Sequence, residues 1–280
     1  AQVTLNVTGT AFSTAKKAAV LVSSTAGAQI TASNVNIENV DADKVNFVWV
    51  DEDWAANYNK VTVNNAPAAQ ENAVEFTAAI VDASGNVVSY YKTLQAALNA
   101  AKAMTGNVTV NILEKVTLNT SIIGNFDSIT FVGTTDEAEI YLDVQGYVTA
   151  TGKKVSFDSL KLSKSVGGFM NNAGFMNVAF GIYDVNEVNY TNCVFLNGAY
   201  ASSGKVTFTG CTFNKSHEKY GLWAYGDVDV TVDKCTFDLD RGIKMYAEGA
   251  AKTVALTVTK TDFSKLLGKP AIVLTYGESV

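Results

Sequence analysis

One pattern of apolar and polar positions recurs along the second half of the chain. It runs apolar, any, apolar, any, any, small or apolar, any, apolar. The pattern reads Val188-Asn-Tyr190-Thr-Asn-Cys193-Val-Phe195, then Val206-Thr-Phe208-Thr-Gly-Cys211-Thr-Phe213, then Val230-Thr-Val232-Asp-Lys-Cys235-Thr-Phe237. Leu256-Thr-Val258-Thr-Lys-Thr261-Asp-Phe263 repeats it with threonine at the cysteine position, and Val155-Ser-Phe157-Asp-Ser-Leu160-Lys-Leu162 is a looser early copy. Alternation sends Val, Phe and Cys to one face of a strand and Thr, Asn and Lys to the other. The extra residue before the cysteine position breaks that alternation, which predicts two short strands with a kink between them. Successive cysteine positions lie 18, 24 and 26 residues apart, at 193, 211, 235 and 261. Those are lengths for one turn of a β-solenoid. A single turn cannot bury its apolar face, whereas stacked turns bury it continuously.

A further strand follows each phrase: Tyr220-Gly-Leu-Trp-Ala-Tyr225-Gly, Arg241-Gly-Ile-Lys-Met-Tyr246 and Pro270-Ala-Ile-Val-Leu-Thr-Tyr276-Gly. These are expected to stack on one another too. Upstream, Thr93-Leu94-Gln-Ala-Ala97-Leu98-Asn-Ala-Ala101-Lys-Ala103 has helical spacing, with Thr93 as N-cap. It precedes Val108-Thr-Val110-Asn-Ile112 and Ile129-Thr-Phe131. A short helix near 93–103 is expected to cover the open N-terminal end of the stack, which otherwise exposes strand edges and core.

The helix, the strands after it and the cysteine-bearing phrases resemble pectin-lyase-like right-handed parallel β-helix proteins. More narrowly, they resemble the repeat regions of secreted microbial surface proteins. The resemblance covers roughly residues 76–280, and residues 1–66 resemble terminal coils of the same kind. It implies an all-β fold, a single-stranded right-handed β-helix with a short capping α-helix, in an extracellular or cell-surface setting.

The two ends of the chain resemble each other. Residues 3–22 begin Val3-Thr-Leu5-Asn-Val7-Thr-Gly-Thr-Ala-Phe12, and residues 254–274 begin Val254-Ala-Leu256-Thr-Val258-Thr-Lys-Thr-Asp-Phe263. Phe12 matches Phe263 at an offset of 251, and Ala19 matches Ala271 after a gap of one residue. More strand-like phrases follow at Val35-Asn-Ile37, Val45-Asn-Phe47-Val-Trp49 and Val61-Thr-Val63. Asn65-Ala-Pro67-Ala-Ala then breaks the pattern. The expected organisation is therefore terminal-type coils over 1–66, a linker over 67–75, and a main β-helix over 76–280. Closing coils come first and opening coils later. Three arrangements fit this order: a piece of a longer array, N-terminal coils folded back onto the chain's own C-terminal end, or N-terminal coils continuing the stack of a neighbouring copy. Fold-back requires residues 67–92 to span the stack, a reach of at most roughly 90 Å. Joining between copies would use Val3, Leu5, Val7 and Phe12 against Leu256, Val258, Phe263, Ile272 and Leu274. A head-to-tail contact that does not close makes a filament.

Composition narrows the chemistry. Of 280 residues, 48% are hydrophobic and 17% charged, enough apolar material for a sizeable core. The net charge of −6, with one arginine and one histidine, does not favour a nucleic-acid partner. No apolar run reaches the length of a membrane span. No leader peptide is read at residue 1, so the Ala1-Gln2-Val3 start fits a processed form or a fragment. Cys193, Cys211 and Cys235 have no metal-ligand spacing and are expected as a column of small buried hydrophobes.

The resemblance also implies polysaccharide lyases and hydrolases as an alternative. Arg241-Gly-Ile-Lys244 is similar to an Arg-x-Lys uronate clamp, but the accompanying Asp-Asp and Gly-His-Gly motifs are absent, and His217 lies in a turn. Trp49, Trp54, Trp223 and Tyr225, with Arg241 and Lys244, are the candidate glycan contacts. Asp51, Glu52, Asp53, Asp227, Asp229, Asp233, Asp238 and Asp240 are acidic positions where calcium is conceivable, with no other cofactor expected. The expected role is a non-catalytic structural or adhesive module whose partners are copies of itself, adjacent repeats or carbohydrate.

Overall fold

The computed structural model describes residues 77–164 apart from 86 and 145–146, then 179–214, 220–247, 252–267 and 270–276, with six short strands before residue 77. The described chain is mainly β and is built around long parallel sheets.

The recurring phrase explains the architecture. Its first half forms strands Asn107–Ile112, Ser128–Gly133, Lys154–Asp158, Glu187–Thr191, Ala199–Thr209, Tyr220–Asp233 and Val254–Thr259. Each pairs in parallel with the one before it. The second half forms a second parallel sheet of Lys115–Leu118, Glu139–Leu142, Lys161–Lys164, Val194–Phe195, Thr212–Phe213 and Thr236–Phe237, again in chain order. Strands Ala199–Thr209 and Tyr220–Asp233 are long because each also carries the preceding stretch of its turn. The start of Tyr220–Asp233 pairs with Arg241–Ala247, which pairs with Ile272–Tyr276.

The expected kink has a single physical origin. The residue before the cysteine position adopts a left-handed backbone: Ser159 (φ 55°), Asn192 (52°), Gly210 (64°), Lys234 (54°) and Lys260 (48°). Only glycine does this without steric cost; an L-residue gives up roughly 1–2 kcal/mol. The kink turns the next residue inward, where Cys193, Cys211 and Cys235 are buried free thiols. The Cys193 Sγ lies 3.3 Å from the Thr191 carbonyl and 3.4 Å from the Phe157 carbonyl of the preceding repeat. Thr261 occupies the same place, its hydroxyl donating to the Thr259 carbonyl at 3.0 Å. Hydrogen bonding with the neighbouring Cys193 and Cys235 thiols, together with burial, pushes the Cys211 thiol well up, consistent with an inert packing role.

In-register pairing stacks like on like. Phe131, Phe157, Tyr190 and Phe208 form one aromatic column with ring centroids 5.3, 5.2 and 4.9 Å apart. Phe195, Phe213, Phe237 and Phe263 form another at 4.9, 4.3 and 4.9 Å.

The helix spans Leu94–Ala101, with the Thr93 hydroxyl accepting the Ala96 N–H at 3.1 Å. Leu94, Ala97, Leu98 and Ala101 are buried in the main core, so the helix does cover one end. It does not act alone. Ala78–Val81 and Val87–Tyr91 form an antiparallel hairpin, and Ala78–Val81 also lies antiparallel on Asn107–Ile112. The direction of the sheet is thereby reversed, which ends the parallel succession.

Before residue 77, Asn6–Val7, Val35–Ile37 and Val61–Val63 form a parallel ladder, and Val20–Ser23 pairs in parallel with Val45–Val48. Ala66–Pro67 closes the ladder antiparallel to Val61–Val63. Proline suits that place, because it has no N–H to offer onward.

Candidate functional site at the uncovered end of the stack

The last repeat differs from all others in what lies beyond it. Among the described residues, Val254–Thr259 pairs only with Tyr220–Asp233, and Ile272–Tyr276 only with Arg241–Ala247. Among the described residues, each thus presents one unpaired edge of backbone donors and acceptors. The apolar columns are open at the same place. In the column Ala199, Leu222, Ile243, Ile272, the first three are fully buried and Ile272 is 40% exposed. In Ala201, Ala224, Met245, Leu274, the first three are buried and Leu274 is 72% exposed. Leu256, Val258 and Phe263 are half-buried, whereas Val230, Val232 and Phe237 one repeat earlier are fully buried. Leu267, which the sequence pattern did not single out, is 71% exposed beside them. Covering a Leu or Ile side chain completely stabilises by roughly 1.5–3 kcal/mol.

Acidic side chains tie this last repeat to its neighbour. The Asp227 carboxylate accepts from the Thr253 N–H at 2.8 Å and pairs with Lys252 at 3.2 Å, and these hold it below the usual carboxylate range. Asp233 accepts from the Thr259 hydroxyl at 2.6 Å, which lowers it likewise. Asp238 pairs with Lys265 at 3.4 Å. The Ser264 N–H donates to Asp262 at 2.8 Å and depresses it too. Thus three of the acidic positions considered for calcium, Asp227, Asp233 and Asp238, are engaged in contacts between repeats. Among the described residues no group of three or more His, Cys, Asp or Glu side chains converges as a metal site.

Of the sequence-chosen interface residues, Leu256, Val258, Phe263, Ile272 and Leu274 come together on this end. Val7 lies in strand Asn6–Val7, and Val3, Leu5 and Phe12 lie outside the described residues, as do His217 and Asp51, Glu52 and Asp53.

The candidate glycan residues converge elsewhere, on the outer face of the strands around 220–246. The Lys244 ammonium sits 4.5 Å from the Trp223 ring centre and 5.8 Å from that of Tyr220. Arg241 lies over Tyr220 at 5.2 Å and donates to its hydroxyl at 3.1 Å. Tyr225 stacks on Tyr246 at 5.4 Å with an interplanar angle of 8°. The sequence reading missed Tyr147, Tyr183 and Tyr200, which extend this row through contacts of 3.9, 5.3 and 6.3 Å. The tyrosine in each of Ile182–Tyr183 and Ala199–Thr209 was the available signal. Trp49 and Trp54 lie outside the described residues.

No protein-family model, curated protein or solved structure matches the chain.

Proposed function

We propose that the chain is a non-catalytic structural or adhesive module of an extracellular or cell-surface assembly. Its fold is a right-handed, single-stranded parallel β-helix of the pectin-lyase-like kind, and it joins further coils through the uncovered end. The strand order supports the winding, since successive strands pair in chain order in both long sheets. Parallel crossovers are almost always right-handed, which supports the hand. The observation that carries the function is the last repeat. Two free parallel edges surround the half-covered Phe263 and exposed Leu274, in a sequence the chain repeats at its own start.

Sedimentation velocity over a concentration series, with a panel of polysaccharides assayed for cleavage, tests this. Species that grow with concentration and leave the glycans intact are expected, and removal of residues 1–66 is expected to abolish growth. One small species at every concentration, with cleavage of any glycan, contradicts it.

A second reading, a polysaccharide-binding or polysaccharide-cleaving β-helix, draws on the convergence of Trp223, Tyr225, Arg241 and Lys244 on one outer strip. Under it, replacing Arg241 and Lys244 with alanine would abolish binding to or action on acidic polysaccharide. Under the leading reading, neither substitution alters assembly.

A further inference from the structure

We infer that the uncovered end is filled by the N-terminal strands of a second copy, in one defined register, and not by the chain's own. The inference rests on the stacking function proposed above and names its partner.

Edge polarity comes first. Each of the two ladders is stopped at one end by an antiparallel strand: Ala78–Val81 on Asn107–Ile112, and Ala66–Pro67 on Val61–Val63. At the other end each is parallel, with no further strand paired to it among the described residues. The main stack ends on Val254–Thr259 and Ile272–Tyr276, and the N-terminal ladders begin on Asn6–Val7 and Val20–Ser23. A trailing edge meeting a leading edge continues both sheets in parallel with no reversal.

Sequence then sets the register. The offset of 251 puts Asn6 opposite Thr257 and Val7 opposite Val258, and the gap of one residue puts Val20 opposite Ile272 and Val22 opposite Leu274. This is like on like, as within the stack. The Val232–Val258 column continues through the positions of Val7, Ile37 and Val63, which are already in register with one another. In sequence, Phe12 falls at the same offset from Phe263, where the phenylalanine column ends. The strands that meet Ile272 and Leu274 are those already paired as Val20–Ser23 and Val45–Val48.

Chain length excludes the intramolecular version of this register. From Val254–Thr259 back to Ala78–Val81 is seven strand steps, and from Val254–Thr259 outward to Ala66–Pro67 is four more. Eleven steps at ~4.8 Å are about 53 Å along the stack. Only ten residues separate Pro67 from Ala78, and the eleven Cα–Cα steps between them reach at most about 36–40 Å. The reach of 67–92 allowed by sequence is not available, because the hairpin and the helix fix residues from 78 onward. With the chain's own strands out of reach in this register, the strands of a second copy would meet this end head-to-tail, in a contact that does not close on itself, the geometry of a filament.

The test uses the full chain with Asn6→Cys, Thr257→Cys or both, and a short bismaleimide. The native thiols at 193, 211 and 235 are buried and remain unreactive. Mixed single variants are expected to give a covalent dimer that neither gives alone, and the double variant a ladder of multimers. A cross-linked monomer from the double variant at every dilution overturns the inference by putting the strands on their own chain, while leaving the stacking function standing. Filaments that cross-link neither here nor through Val20→Cys with Ile272→Cys overturn the register alone. A chain that neither assembles nor cross-links overturns both.

Discussion

The two ends of the main stack are built from similar strands, and they differ in what meets the outermost one. At the helix end, the Asn107–Ile112 edge receives an antiparallel hairpin, and Leu94, Ala97, Leu98 and Ala101 seal the columns beneath. At the far end, Val254–Thr259 and Ile272–Tyr276 carry the same kind of alternation, yet no described strand or helix lies beyond them. A sheet edge can thus be protected by reversing its direction or left as a template. Here the same chain does both, reversing direction at Ala78–Val81 and at Ala66–Pro67 and leaving Val254–Thr259 and Ile272–Tyr276 unpaired on one side among the described residues. One blocked and one unblocked edge on each ladder would give the proposed assembly its direction.

The largest expected contrast comes from the phenylalanine column. Phe237→Ala removes a fully buried ring and should cost about 3–5 kcal/mol in chemical denaturation. Phe263→Ala, one repeat later, should cost less than half as much in dilute chain, because its ring is only half covered. At concentrations where copies join, the two costs should converge. Equal costs in dilute chain would mean that the last repeat is already covered.

At the capped end, Leu98→Ala should cost about 2–4 kcal/mol and leave assembly through the far end intact. Loss of assembly without loss of fold would mean that the helix end takes part in joining.

Acid should act more on the far end than on the capped end. Asp227 and Asp233, which hold the last repeat, and Asp262 within it have carboxyls below their ordinary range in the folded chain. Their stabilisation is present above about pH 4 and disappears as pH falls through the lower folded-state values. Amide hydrogen exchange should therefore speed up over 252–267 below that pH, with the hairpin and helix unchanged. Uniform loosening of both ends would break the comparison.

The smallest effect is at a kink. Lys234 holds φ of 54°, so Lys234→Gly should be neutral or stabilising by up to about 1 kcal/mol, measurable as a rise in Tm.

Much of this was legible in the phrases, because alternation plus one extra residue dictates strand, kink and inward Cys193, Cys211 or Cys235, whereas the left-handed backbone at the kink was not. The helix at Leu94–Ala101 was legible from its spacing and from Thr93. The hairpin was not: Ala78-Ala79-Ile80-Val81 is short and carries small residues whose burial depends on partners distant in sequence. The hairpin and helix take up residues 78–101, and with them part of the 67–92 stretch whose full reach the sequence allowed for fold-back. In the candidate site, Phe263, Ile272 and Leu274 followed from the repeat, whereas Leu267 sits in an irregular turn with no periodic signal. The tyrosine row was only half visible, since Ile182–Tyr183 is too short to show a period.

Negative-stain electron microscopy of the full chain over a concentration series tests the central claim most directly. Unbranched rods that lengthen with concentration are expected. Discrete particles of one length at every concentration would contradict the claim that the open end of one copy receives the N-terminal strands of the next.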